Sequence, residues 1–576
     1  MEPLDKNNAL ESEKKYRTAV ETASDYIENF DILETITNVG NDEVFTPRKT
    51  CSMILDSLPD EVWHNPNYRW LNPATKNGIF EREIAIRLDE GLKDVIPDME
   101  KRRKHILQNM IFAIGQTKFT ANVARRTVYY CSQANRKCDG IKAEDGHYIN
   151  GYAIGNGTWF DDAEGNIKTP CTDHCYEQNG VKMPSNCEGE DRKKYRCKYC
   201  GINGNSSYND ANQLEKYAYE FIHVDGDKLL THLRDRFFGG NRNMKFDIVI
   251  GNPPYQLSDG GAQASSRPIY QLFVQQAMAL KPRYISMIMP SRWMTGGKGL
   301  DDFRQSMISN THLAKLNDFP DGKSCFPNNE IKGGVCYFLW DREHSGPCEI
   351  IQHNGEDIIT SKRYLKEGDT DVVIREQRLI PIYRKVVAYK GGFFSSIVSP
   401  RKPYGLSGDI FKDPSKYALP PMKEHPFDGC ITIYGLDEHL KRVKRYVTYD
   451  YPFPKKDFLD GYKLFVARNQ GSGAFGETLS EPIFAGPGEA CTETYVVFGP
   501  FKTKEEMKNC WEYVKTKFFR AVLGIRKLDQ NASQGVYSYI PLLDFNKKWD
   551  DSALYEIFDL DQDSRNFIEN NVKEMK

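Results

Sequence analysis

Over residues 68–340, short apolar runs alternate with stretches whose apolar positions recur every third or fourth residue. The runs at 68–71, 111–114, 127–130, 221–224, 246–250, 284–289, 313–318 and 334–340 predict strands. The stretches 48–58, 81–90, 98–107, 117–126, 228–237, 268–280 and 299–309 predict helices. This alternation predicts an α/β fold with a doubly wound sheet and helices on both faces. The run Phe246-Asp247-Ile248-Val249-Ile250 is short, apolar and β-branched, which predicts a strand buried on both faces. The rhythm breaks in two places. Between 131 and 204, Gly, Asn, Asp, Lys and Cys displace the apolar positions, which predicts an insertion; beyond about residue 355 short aromatic segments, basic clusters and turns take over. The expected organisation is a polar helical lead-in over 1–40, an α/β domain over 41–350 interrupted at 131–204, and an α+β domain over 355–576.

Composition changes this picture only at its margins. A chain of 576 residues holds two or three domains. Its formal net charge of -2 excludes a basic field over the whole molecule, so any contact with phosphates must come from local clusters. Residues 1–15 are polar, and no apolar run is long enough to span a bilayer, so a cytoplasmic location is expected. In that compartment the 14 cysteines are free thiols or metal ligands rather than disulfides.

The candidate chemistry lies directly after the buried strand, in Asn252-Pro253-Pro254-Tyr255. Ligands of open α/β sheets bind beyond the carboxyl ends of strands. An amino group conjugated to an aromatic ring is a poor nucleophile. Acceptors facing both of its N–H groups favour a pyramidal nitrogen with a usable lone pair. Asn252 offers one acceptor through its side-chain oxygen and Pro253 another through its carbonyl. Asn252 and Pro253 each precede a proline, which holds them extended, and the prolines fix φ and add no donors. Tyr255 offers a flat face for an extruded base. Upstream, Asn72-Pro73-Ala74-Thr75-Lys76-Asn77-Gly78-Ile79-Phe80 joins a strand to a helix through a tight turn.

Asn-Pro-Pro-Tyr after an apolar strand is the signature of amino-methyltransferases. The order here is Phe45-Thr46-Pro47, the glycine loop, Asn252-Pro253-Pro254-Tyr255, then a C-terminal region. It resembles the gamma class of adenine N6 DNA methyltransferases of bacterial restriction–modification systems, over most of 41–345 and more loosely beyond. The resemblance implies a Rossmann-like sheet, S-adenosylmethionine (AdoMet) as methyl donor, and double-stranded DNA with a flipped adenine as substrate. It implies that Asn252 and Pro253 hold the amino group, with Pro254 in the same loop, and that Tyr255 stacks on the base. Phe326, in Ser324-Cys325-Phe326-Pro327, matches a second stacking aromatic and reads equally as a core phenylalanine. Asn72, Pro73, Ala74 and Gly78 resemble the AdoMet loop, with Phe45, Thr46 and Pro47 covering the cofactor from the other side. Two positions depart from the family: Asn72 replaces a frequent acid and Lys76 replaces a glycine. The usual ribose-binding acid is also missing, leaving Gln116, while Asp225 (or Asp227) can approach the cofactor's adenine.

Seven cysteines fall between Cys131 and Cys200. Cys171-x-x-His174-Cys175 and Cys197-x-x-Cys200-Gly201 have the spacing of a structural zinc site, which stabilises a segment with little core of its own. Cys131, Cys138, Cys171, His174, Cys175 and Cys187 all compete to complete it. Two stretches of the second domain interleave basic and aromatic residues, 439–446 and 515–520. They lie where the family keeps its target-recognition domain, which makes 355–576 the expected DNA reader. Pro97-Asp98 lacks the downstream partners of a nuclease, so cleavage is expected of a separate restriction or helicase subunit. Two alternatives remain at this point: a protein glutamine N5 methyltransferase, which shares Asn-Pro-Pro-Tyr, and a catalytically silent DNA-binding subunit.

Overall fold

The computed structural model describes residues 44–130, 159–162, 164–204, 218–257, 267–297, 299–527 and 530–575. The expected lead-in over 1–40 lies outside these residues, as do Cys131 and Cys138. The chain forms two compact units, the first ending at Tyr364 and the second running Leu365–Lys576.

The first unit is built on β1 (Trp70–Thr75), β2 (Ile111–Gly115) and β3 (Ile167–Lys168). β4 (Tyr176–Gln178), β5 (Val181–Lys182) and β6 (Arg196–Cys197) make a small separate sheet. β7 (Ile248–Gly251) follows, then the short pair β8 (Gln256–Leu257) and β9 (Arg267–Pro268). β10 (Tyr284–Pro290), β11 (Leu313–Phe319), β12 (Val335–Asp341), β13 (Cys348–Asn354) and β14 (Asp357–Arg363) complete it. The main sheet has nine strands in the order β14-β13-β11-β12-β10-β7-β1-β2-β3. β10, β7, β1, β2 and β3 run parallel, and β12 lies antiparallel between β10 and β11. Every residue of β1, β2 and β7 is buried, as parallel strands covered on both faces require.

From β1 the chain moves outward to β2 and β3; from β7 it moves the other way to β10. The strand order therefore reverses between β1 and β7, which pair with Trp70 opposite Ile248. A crevice opens at such a reversal, outside the carboxyl ends of the two strands. Helices Ile79–Gly91 and Lys118–Arg125 follow β1 and β2, and the second starts with a capping box between Thr117 and Thr120. Gly78 begins the first helix at φ +79°, and a Cβ there would lie 3.0 Å from the backbone of Ala124. Only glycine lets the two helices approach this closely.

Four expectations fail. Residues 127–130 are not a strand: Arg126–Tyr130 is a π turn that prolongs the preceding helix. Thr127 Oγ1 donates back to the Val123 carbonyl at 3.0 Å, and Val128 and Tyr129 are buried in the core, so packing overrides their β propensity. Residues 221–224 are not a strand either, since Glu220–Ile222 forms a 3-10 turn and Phe221 stacks on Phe273. The edge of the sheet belongs instead to Ile167–Lys168, inside the region read as an insertion, so the excursion over 131–204 is interrupted by a strand of the main sheet. The sheet also persists past 355, through β14.

The second unit contains β15 (Ile431–Leu436), β16 (Arg442–Val447), β17 (Tyr462–Ala467), β18 (Ile483–Ala485), β19 (Glu489–Cys491) and β20 (Tyr495–Phe501). They form two three-stranded sheets, β16-β15-β19 and β18-β17-β20. Helices Lys504–Lys515 and Lys517–Leu523 supply much of a separate apolar core.

Candidate active site

The ends of β1 and β7 bring the two expected motifs together. Gly251 and Asn72 touch: a Cβ on Gly251 would lie 2.4 Å from Asn72 Oδ1. Asn252 is the next residue and is 3% exposed. Its Nδ2 donates to the Val44 carbonyl at 3.0 Å and to Thr46 Oγ1 at 3.1 Å. Those two acceptors fix which way the amide faces. Asn252 Oδ1, by contrast, is buried with no hydrogen-bond partner among the described residues. Pro253 and Pro254 are buried and Tyr255 is half-buried. The Tyr255 ring meets Phe326 edge-on at 6.3 Å, and Phe326 is 1% exposed within the core of this unit.

A cavity lies over these groups, lined by Thr46, Asn72, Lys76, Gly78, Glu81 and Asn252 among others. Asn72, Ala74 and Gly78 line it as expected of a cofactor loop, while Pro73 is buried inside β1. Lys76, at the departure from glycine, is buried and its Nζ donates to the same Val44 carbonyl at 2.7 Å. One carbonyl thus ties the segment before Phe45 and Pro47 to both the glycine loop and Asn252. Asn72 Oδ1 accepts from the Ala74 amide at 3.1 Å and its Nδ2 donates to Glu81 Oε1 at 2.8 Å. Glu81 was not anticipated from sequence. It falls within an amphipathic helix, where a glutamate reads as solvent-facing, yet it is 1% exposed.

Gln116 sits at the end of β2 with its backbone amide on the Thr75 carbonyl, 3.2 Å away. It is 2% exposed, and neither atom of its amide has a partner among the described residues. Asp225 precedes helix Gly226–Phe238 and is not in the cavity wall. Its carboxylate accepts from Lys198 Nζ and Tyr199 OH, each at 3.1 Å, and the Lys198 bond holds its pKa below the usual carboxylate range.

The sequence matches the model of the Eco57I restriction-modification methylase family over residues 109–326. A Mycoplasma pneumoniae protein described as an uncharacterized adenine-specific methylase is 41% identical over 374 residues, covering 62% of this chain and 83% of that protein. This chain belongs to the adenine-specific methylases. Solved structures resemble it more distantly. One is the type ISP restriction-modification enzyme LlaGI, a nuclease-deletion mutant with a DNA substrate mimic, at 11% identity and TM-score 0.45 over 92% of this chain and 47% of LlaGI. Another is the type IIL enzyme MmeI with DNA, at 11% identity and TM-score 0.44 over 85% of this chain and 65% of MmeI. The chain spans about half to two thirds of the length of these structures. AdoMet is the methyl donor expected of a restriction-modification methylase. Buried polar atoms without partners in Gln116, Glu81 and Asn252, around one crevice, are consistent with a polar ligand there. Neither the glutamine methyltransferase nor the silent-subunit alternative is favoured by these matches.

The methylase gathers its cysteines differently from the spacing argument. His174, Cys197, Cys200 and His223 place four potential ligand atoms within 4.8 Å of one another. His174 Nδ1 lies 3.5 Å from Cys200 Sγ and 3.1 Å from His223 Nε2. The turn is held by the Gly201 amide on the Cys197 carbonyl and the Cys197 amide on Ile202, both at 2.8 Å. His223 was missed because it lies in the segment read as a strand. Its Nδ1 is 2.8 Å from the Tyr219 carbonyl, which fixes the proton there and turns Nε2 to the cluster. Cys171 and Cys175 lie outside this group, and Cys187 belongs to neither group of potential ligands. Cys171 is near Glu220 and His232 instead, where Glu220 is already paired with Arg236 at 2.9 Å.

The two basic stretches of the second unit also part company. Phe518, Phe519 and Arg520 are buried, and Lys517 pairs with Glu569 at 2.5 Å, so 515–520 is core rather than a DNA-facing surface. Lys441, Arg442 and Lys444, on and beside β16, are exposed. Lys444 lies over the Tyr434 ring at 5.0 Å, and Leu440 is exposed at the turn before β16. None of the described helices is long and apolar enough to cross a membrane.

Proposed function

We propose that this adenine-specific methylase transfers a methyl group to the N6 amino group of an adenine flipped out of double-stranded DNA, as the modification enzyme of a restriction–modification system. The orientation of Asn252 carries the reading. With Nδ2 committed to Val44 and Thr46, the buried Oδ1 is an acceptor with no protein donor to satisfy it. It faces where a target amino group would enter and needs no reorganisation to accept one N–H. The Pro253 carbonyl accepts the other. Tyr255 stacks on the base, and Phe326 steadies Tyr255 from the side. Bound AdoMet supplies the methyl group; Asn72, Pro73, Ala74 and Gly78 form its floor and Phe45, Thr46 and Pro47 its cover. Gln116 takes the ribose hydroxyls, and Asp225 faces the adenine end only where it exchanges its lysine and tyrosine partners.

His174, Cys197, Cys200 and His223 hold a structural zinc ion in this reading, because two thiolates and two imidazoles within reach of one point are a tetrahedral zinc donor set. The second unit reads the DNA target, with Lys441, Arg442 and Lys444 on phosphates. Cleavage belongs to a separate subunit. The test is labelling of plasmid DNA from tritiated AdoMet by wild type and Asn252→Ala, followed by nucleoside analysis. N6-methyladenine made by the wild type alone supports the reading. Labelled protein without labelled DNA, or equal labelling by both, refutes it.

A further inference from the structure

Several enclosed carboxylates in the first unit meet cations. Glu83 is paired with Arg82 at 3.0 Å and Arg48 at 3.1 Å, Asp89 with Arg102 at 2.8 Å and Arg103 at 2.9 Å, and Glu220 with Arg236 at 2.9 Å. Glu81 is the exception among these. It is 1% exposed and no lysine or arginine among the described residues forms an ion pair with it. One oxygen accepts from Asn72 Nδ2 at 2.8 Å. The other has no hydrogen-bond partner of good geometry among the described residues, with the Thr75 hydroxyl and the backbone amide of Glu81 itself near the group. An enclosed carboxylate in this state is costly unless something positive meets it. It lines the same cavity as Asn252 and as Lys76, whose Nζ is turned to the Val44 carbonyl, so the cavity is where a ligand's cation would meet it.

Asn72 says which cation. Its side chain stands between Glu81, which it holds, and Gly251, which it touches just before Asn252. Glu81 is thereby held across Asn72 from the Gly251–Asn252 corner of the cavity. The identity of residue 72 follows too. An acid at 72 would press one carboxylate against another, whereas the asparagine amide donates to Glu81 and leaves its second oxygen open. We propose that Glu81, oriented by Asn72, receives the α-ammonium group of AdoMet, so that the charge lost at position 72 has moved to the following helix. This rests on the reading of the cavity as the cofactor site.

Calorimetric titration of the full chain with S-adenosylhomocysteine and with its analogue lacking the α-amino group tests it. Glu81→Gln should weaken S-adenosylhomocysteine about tenfold or more, the scale of one charge-assisted hydrogen bond, while changing affinity for the des-amino analogue by less than about twofold. The exchanged pair N72D/E81Q should recover most of the loss, because amide and carboxylate then trade places: position 81 donates, position 72 accepts, and one negative charge still faces the cavity. Equal weakening of both ligands, or no weakening of either, overturns the assignment. If E81Q fails to fold by thermal melting, N72D/E81Q decides alone: loss of preference for the amino-bearing ligand overturns the proposal, and retained preference supports it. Wild type that binds neither ligand removes the cofactor reading itself, and this inference with it, whereas a wild type that binds beside an unaffected E81Q removes only the role of Glu81.

Discussion

Two polar constellations are buried in the first unit, and they are assembled by opposite means. The cavity at the ends of β1 and β7 collects Val44, Thr46, Asn72, Glu81 and Asn252 from distant parts of the chain, and sheet topology alone makes them neighbours. The Cys/His cluster is closed by local hydrogen bonds of the Cys197–Gly201 turn and by His223, outside the main sheet. In the cavity, acceptors such as Asn252 Oδ1 have no hydrogen-bond partner among the described residues. In the cluster, four donor atoms point at one another. Under the proposed function the first arrangement serves a ligand that comes and goes, and the second an ion that stays. Damage to the cavity should therefore cost activity with little stability, and damage to the cluster the reverse.

Asn252→Ala puts the greatest strain on that comparison. DNA methylation should fall by roughly a hundred- to a thousandfold in kcat, the size of losing one preorganised acceptor, while the melting temperature holds. A large drop in melting temperature would mean that Asn252 is structural. Cys197→Ser should instead reduce bound zinc from one equivalent to none and destabilise the protein by about 2–4 kcal/mol, read by metal analysis and thermal denaturation. Undiminished stability with no metal in the wild type would dissolve the contrast.

Acidification separates the two further. Burial pushes the Glu81 carboxyl above its ordinary value. Its titratable neighbours Cys51 and Tyr129 are themselves pushed up by burial and stay neutral, and Lys76 shares the cavity wall. A raised carboxyl is neutralised earlier as pH falls. AdoMet affinity should decline as pH falls, beginning above the ordinary glutamate range, while the α-amino group keeps its proton; E81Q should show no such decline. Thr46→Val removes one of the two acceptors that fix Asn252, and should lower kcat by about tenfold without altering zinc content. The smallest effects belong to the second unit. Lys444→Ala should weaken DNA binding severalfold and lower its salt dependence by about one counterion, whereas Lys517→Ala, losing its pair with Glu569, should change stability by less than about 1 kcal/mol and leave DNA binding alone.

The Asn252–Tyr255 loop was legible because it is written in consecutive residues that follow a fully apolar run. Pro253 and Pro254 constrain the backbone wherever they stand, and β7 is identifiable from Ile248-Val249-Ile250 alone. The Cys197–Gly201 turn was legible for the same reason, and its neighbour in the Cys/His cluster was not, since His223 lies in a segment whose apolar residues suggested a strand. The stretches 439–446 and 515–520 look alike in composition, yet one is an exposed edge and the other core, because burial is a property of what lies across from a residue.

The sequence by itself determined the α/β class, the order of motifs, and the residue types at the amino-group loop, all of which depend on local periodicity and on backbone limits set by proline and glycine. Only the tertiary structure decided that the Asn252 amide is turned by Thr46, that Asn72 serves Glu81, and that His223 joins Cys197 and Cys200. Each of those facts concerns which polar atom meets which across a large sequence separation, and hydrogen-bond satisfaction in a buried site is settled by the fold as a whole.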